Sequence, residues 1–148
     1  MRAGSGVVLS LVMRYTHTLI ALSLAFAVHG LAQSDKAARG KYLVEEVARC
    51  QECHTPKLAD GQFDKDKWLK GATLNTQPIE PVKAWHKTSP DLTASGRLWK
   101  GRWGDAALVK LLTTGLGPGG SPADPPMPTY KMSQGDAEAV VEYLKSLK

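Results

Sequence analysis

Apolar positions recur at helical spacing in three stretches of this chain, and between them the pattern dissolves. The first stretch begins at Ser34 or Asp35, either of which can cap it, and runs to about Cys50. Gly40, Leu43, Val44 and Val47 fall on one face, with Lys36, Arg39, Lys41, Glu45, Glu46 and Arg49 around the rest. A glycine inside a helix costs about 1 kcal/mol against alanine, so Gly40 points to the close approach of another helix. The second predicted helix spans about Asp105 to Thr114, with Leu108, Leu111 and Leu112 as its apolar face, Asp105 at its positive end and Gly115 as its stop. The third begins at Ser133, an N-cap with Asp136 at N3 and with Met132 and Ala137 placed as a hydrophobic staple. Ala137, Val140, Val141 and Leu144 form its buried stripe, joined by Tyr143 and Leu147. Tyr143 is the candidate to pack on the helix that carries Gly40.

Between the helices the chain collects turn formers. From Thr55 to Gly96 periodicity is lost, and the residues predict irregular loops with one short strand around Trp68 to Leu74. The most informative piece is Ser89-Pro90-Asp91-Leu92-Thr93. After Gly115 the run to Pro128 is too rich in glycine and proline for regular structure, and it forms a shaped loop around Met127. The fold class expected from these elements is all-α.

The N-terminus reads as a signal for export. Arg2 or Arg14 opens it, the run Leu19 to Val28 has the length of a signal-peptide apolar core, and Gly30-Leu31-Ala32 supplies a small-x-small cleavage pattern. Residues 1–32 are therefore expected to be a signal peptide, starting from Met1 or Met13 and cut after Ala32, with one domain over residues 33–148. The apolar run is too short to span a bilayer comfortably, so no stable membrane span is expected once it is removed. Its loss removes Arg2 and Arg14 and no acidic residue, taking the formal charge from +5 to +3. That balance suits docking to an acidic face and falls far short of a nucleic-acid footprint.

The chemistry of the chain centres on Cys50-Gln51-Glu52-Cys53-His54. Two thiols three apart on one helical face can bond the two vinyl groups along one edge of a haem, and the histidine that follows falls beneath the ring as an iron ligand. The ring nitrogen that binds iron is set by the hydrogen bond the other nitrogen makes, so a carbonyl partner is expected elsewhere in the chain. A Cys50–Cys53 disulfide or thiol-exchange site is the competing reading, but it would need βαβ patterning that is missing here. A zinc site would need further ligands, and the chain has just 2 cysteines. Candidates for the far side of the iron are Met127, held between Pro126 and Pro128 in a stiff extended segment, then Met132, His86, or an open position.

Together these features resemble a class I c-type cytochrome over the whole mature length. The likeness is closest to the haem modules of cytochrome subunits of periplasmic dehydrogenases, on Arg39-Gly40-Lys41-Tyr42-Leu43 and Pro125-Pro126-Met127-Pro128. The resemblance implies the class I fold: helices around one covalently bound haem c, wrapped by long irregular loops. It implies thioethers at Cys50 and Cys53, iron ligation by His54 and Met127, and a Pro90 carbonyl accepting the histidine N–H. Gly40 and Tyr143 then resemble the glycine and aromatic of the crossed terminal helices, and Trp99 or Trp103 would cover the haem, bind a propionate or serve as plain core.

The function expected is that of an exported, periplasmic, monohaem one-electron carrier and not an enzyme, since no catalytic base or substrate pocket is visible. Its partners would be a dehydrogenase or membrane complex as donor and an oxidase or other acceptor, with the chain a monomer or a subunit of a redox complex. The alternatives are a haem-ligand-binding sensor or enzyme with a displaceable sixth ligand, and a dedicated dehydrogenase subunit. A three-haem anchored subunit does not fit a chain in which the haem motif occurs once.

Overall fold

In the computed structural model residues 35–148 are described, and the expected signal peptide with its cut after Ala32 lies outside the described residues. The first helix, α1, covers residues 35–47 and changes character on the way. It is α-helical to residue 42 and then makes one π-helical turn over Leu43–Val47. The amide of Ala48 donates to the Leu43 carbonyl at 2.8 Å, and Arg49 turns the chain in the left-handed region at φ 51°. The helix therefore does not run unbroken to Cys50 as the pattern predicted. The wider turn also rotates Val47 off the apolar face and leaves it 55% exposed, while Leu43 and Val44 stay buried. A separate short helix, α2 (Gln51–His54), presents the cysteine motif, with Cys50 as its cap residue.

The other two helices form where their local signals placed them. Helix α3 spans Asp105–Thr114 and ends on Gly115 at φ 78°, whose amide donates to the Leu111 carbonyl at 2.8 Å. Helix α4 spans Gln134–Ser146, and the Ser133 hydroxyl accepts the Asp136 amide at 3.2 Å. Leu147 lies just past its end, where its carbonyl accepts the Ala94 amide at 3.0 Å.

Helix α4 packs against both α3 and α1. The crossing with α1 is close: a Cβ on Gly40 would sit 1.9 Å from the Ala139 carbonyl oxygen and 2.8 Å from the Tyr143 Cβ. Glycine is thus required by contact, as its placement inside the helix suggested. The ion pairs Lys36–Glu138 at 2.8 Å and Arg39–Asp136 at 3.0 Å flank the crossing, and both are exposed enough to contribute little individually. Val44, Leu108, Leu112, Val140 and Leu144 form the centre of the core, each burying apolar surface at roughly 1.5–3 kcal/mol.

Among the described residues no strand forms, so the one expected around Trp68 to Leu74 is absent. Leu69 and Gly71 take φ of 57° and 88°, which breaks an extended pleat, and Thr73 makes just an isolated bridge to Thr88. Leu69 is nonetheless fully buried as a core residue. The long loop instead includes 3-10 turns at Lys65–Lys67 and Arg97–Trp99.

Candidate functional site

The break after α1 places Cys50 and Cys53 one helical turn apart, both half-buried and both free thiols. Burial pushes the Cys50 thiol up to about 11. A thiol-exchange nucleophile needs the opposite shift, so Cys50 is poorly suited to that role. The pair is well suited to covalent attachment of a group lying over one face of α2.

His54 is buried, and its Nδ1–H donates to the Pro90 carbonyl at 2.9 Å. The carbonyl can only accept, so the proton resides on Nδ1 and the lone pair on Nε2. Burial also lowers the basicity of the ring, opposed by the Pro90 bond, which favours the neutral imidazole. Among the described residues Nε2 takes no hydrogen bond. A buried neutral imidazole with a free Nε2, next to two thiols one turn apart, fits a haem bound through both thiols and through its iron.

Residues of the Ser89 to Thr93 stretch, joined by Leu69 and Gly71, hold this motif in place. The Ser89 hydroxyl donates to the Cys53 carbonyl at 2.6 Å and accepts the Ala72 amide at 2.9 Å. The Gly71 amide donates to the His54 carbonyl at 2.8 Å, and the Leu69 amide to the Thr55 hydroxyl at 2.9 Å. Gly71 is confined to glycine twice over, since a Cβ would lie 2.6 Å from the Ser89 oxygen at φ 88°. Asp91 accepts the Thr93 amide at 2.7 Å and shapes the turn after Pro90. The run Ser89 to Thr93 was visible as a turn signal, but which carbonyl it would meet was not.

The three candidates for the far side of the iron have different surroundings. Met132 packs against the core and its amide donates to the Leu112 carbonyl at 2.9 Å, as a staple residue should. His86 is exposed, and its Nε2 is engaged with Asp124 Oδ2 at 3.0 Å. Met127 is half-buried, its amide donating to the Asp124 carbonyl at 3.3 Å. The segment turns at this point, with a cis Pro125–Pro126 bond, instead of running extended as its prolines suggested. The Tyr130 hydroxyl donates to the Ala48 carbonyl at 3.3 Å, linking the methionine loop to the end of α1. Trp99 spends its indole N–H on the Thr93 carbonyl at 2.7 Å, which leaves no ring donor for a propionate, and Trp103 packs against Gly117.

The family model for cytochrome c matches residues 37–148, which covers all but the first two residues of α1 and continues through α4 and the whole site. The chain belongs to the cytochrome c family. The cytochrome c family is one of electron-transfer proteins, and it implies covalently bound haem c. Among similar proteins, a diheme cytochrome c-type protein of Cereibacter sphaeroides is 33% identical over 112 residues, covering 72% of this chain and 34% of that protein. The fructose dehydrogenase cytochrome subunit of Gluconobacter japonicus is 32% identical over 119 residues, covering 77% of this chain and 22% of the subunit. The gluconate 2-dehydrogenase cytochrome c subunit of Pantoea cypripedii is 31% identical over 131 residues, covering 78% and 27%. This cytochrome therefore spans at most about a third of the length of these relatives. Among its described residues no helix is long and apolar enough to cross a membrane.

Proposed function

We propose that this cytochrome is an exported monohaem carrier of single electrons, in which Cys50 and Cys53 would bond the haem through thioethers and His54 Nε2 and the Met127 sulfur would bind its iron. The bound haem supplies an iron that cycles between two oxidation states one electron apart. The observation that carries the reading is the His54 ring, buried and held by the Pro90 carbonyl with Nε2 left free. Met127 is preferred for the sixth position because His86 is engaged with Asp124 and Met132 packs in the core. A thioether there would raise the reduction potential relative to a second histidine. The protein's part is to fix both ligands, exclude water from one face and leave no position for substrate.

The resemblance of residues 1–32 to a signal peptide supports export to the periplasm, where a dehydrogenase or membrane complex would deliver the electron and an oxidase or other acceptor would remove it. The relatives named as cytochrome subunits of dehydrogenases support a second reading, in which the chain is a permanent subunit of such an enzyme.

The test is a set of visible spectra of the exported holoprotein, oxidised and reduced, with and without carbon monoxide, beside the variant Met127→Ala. A covalent low-spin haem that ignores carbon monoxide is expected in the wild type. Met127→Ala should bind it at once and have a lower potential. Prompt binding by the wild type would defeat the carrier reading, and absence of haem would return Cys50 and Cys53 to disulfide chemistry.

A further inference from the structure

The loop of residues 71–90 folds back on itself through the Thr73–Thr88 bridge, the Leu74 amide on the Lys87 carbonyl at 2.8 Å and the Ser89 amide on the Ala72 carbonyl at 2.9 Å. One end of it is bonded to the histidine side, through Ser89 on Cys53, Gly71 on His54 and His54 on Pro90. Three residues before Ser89, the same loop reaches the methionine side. The His86 amide donates to the Pro125 carbonyl at 2.8 Å, and His86 Nε2 meets Asp124 Oδ2 at 3.0 Å. Among the described residues, these two bonds from His86 are the hydrogen bonds that join residues 123–128 to chain outside the methionine loop.

We propose that His86 is a positioning residue for iron ligation: through Asp124 and Pro125 it holds the Met127 turn, and through its own loop it refers that turn to His54. The proposal rests on Met127 being the sixth ligand. The Asp124 carbonyl also accepts the Met127 amide at 3.3 Å, so the residue grasped by His86 is the one that closes the turn around the methionine. A turn held from outside spends less time with its sulfur away from the iron, because every hydrogen bond that must break on opening favours the closed form. The His86–Asp124 pair is exposed, at 58% and 56%, so it tunes this equilibrium and does not create it.

The experiment measures carbon monoxide association with the ferrous holoprotein, since the methionine must leave before carbon monoxide can bind. His86→Ala and Asp124→Ala are each expected to accelerate it about twofold to fivefold. The double variant should be no faster than the faster single one, because both remove the same hydrogen bond. His86→Gln, whose amide N–H can still donate to Asp124, should return the rate toward wild type. Haem content and far-ultraviolet dichroism report folding, and the independent Asp124→Ala variant carries the test if His86→Ala folds poorly. Rates in both alanine variants equal to wild type, with Met127→Ala fast, would overturn the strap while leaving Met127 as ligand. A wild type as fast as Met127→Ala would remove the ligand reading and the strap with it. Loss of low-spin haem in His86→Ala with an unchanged Met127→Ala would make His86 the ligand and also overturn the proposal.

Discussion

Around His54 the backbone carbonyls of Cys53, His54 and Pro90 and the hydroxyls of Thr55 and Ser89 are all engaged, and the ring itself is buried. Residues 123–128 are exposed or half-buried, and among the described residues their bonds to distant chain come from His86. The contrast teaches how one small domain divides its work. A network whose backbone carbonyls and hydroxyls are paired resists local opening, whereas an exposed turn with few outside bonds opens at low cost. With the proposed ligation, the histidine side would be the fixed reference, and the methionine side the place where potential and ligand access are adjusted.

The most severe way to break this contrast is His54→Ala. It strands the Pro90 carbonyl and removes the proposed ligand, so low-spin absorption should vanish and stability should fall by roughly 3 kcal/mol or more, read from haem spectra and denaturant unfolding. A low-spin spectrum surviving in that variant would disprove the role of Nε2. Next is Ser89→Ala, which leaves the Cys53 carbonyl and the Ala72 amide without partners. Unfolding should show a loss of about 1–3 kcal/mol, and a loss under about 0.5 kcal/mol would mean that the histidine side is less tightly built than its bonds indicate.

A pH titration sharpens the methionine side. Burial pushes the Tyr130 hydroxyl up to about 12, with the nearby Cys50 and Cys53 adding to the shift, and thioether formation would leave burial as the cause. Tyr143 is pushed up to about 12 as well, by burial and by the Glu45 carboxylate that accepts its O–H. A raised value in the folded state means that these phenols stabilise fully below their ordinary value of 10.0 and progressively less from there to about 12. Alkaline melting curves should therefore fall above pH 10, and Tyr130→Phe should flatten part of that fall at a cost near neutrality of about 0.5–1 kcal/mol. An unchanged alkaline slope would show that Tyr130 is not the group that titrates.

The smallest effect is expected from acid. Asp136 beside Arg39 and Glu138 beside Lys36 have carboxyl groups held below their ordinary values of 3.8 and 4.5. Depressed values give stability that is present above those pH values and lost as pH falls through and below them. Both groups are exposed, so melting temperatures near pH 3 should drop slightly more in the wild type than in an Asp136→Asn, Glu138→Gln variant. Equal drops would mean that the pairs flanking the α1–α4 crossing contribute nothing.

Legibility in the sequence followed the range of the interactions. Helices α3 and α4 were readable to their caps because Gly115, Ser133 and the leucine and valine stripes act within a few residues of themselves. Gly40 was readable as a crossing point because a glycine in a helix has few other uses, and its close approach to Ala139 and Tyr143 agrees. The Pro90 carbonyl came through family resemblance and not through spacing, since 36 residues separate it from His54. The π turn in α1, the missing strand and the turned methionine segment were misread, because backbone conformations at Arg49, Leu69 and Pro126 have no periodic signature.

By itself the sequence determined the chemistry available here: a pair of thiols and an imidazole at a spacing that suits one haem, three amphipathic helices, and a methionine among prolines. Those depend on residue type and short spacing, which a linear chain states directly. The tertiary structure alone decided which ring nitrogen of His54 is free, that Ser89 and Gly71 brace the motif, and that His86 meets the methionine turn. Each of those pairs a group with a partner 17 to 39 residues away, and only packing selects such partners.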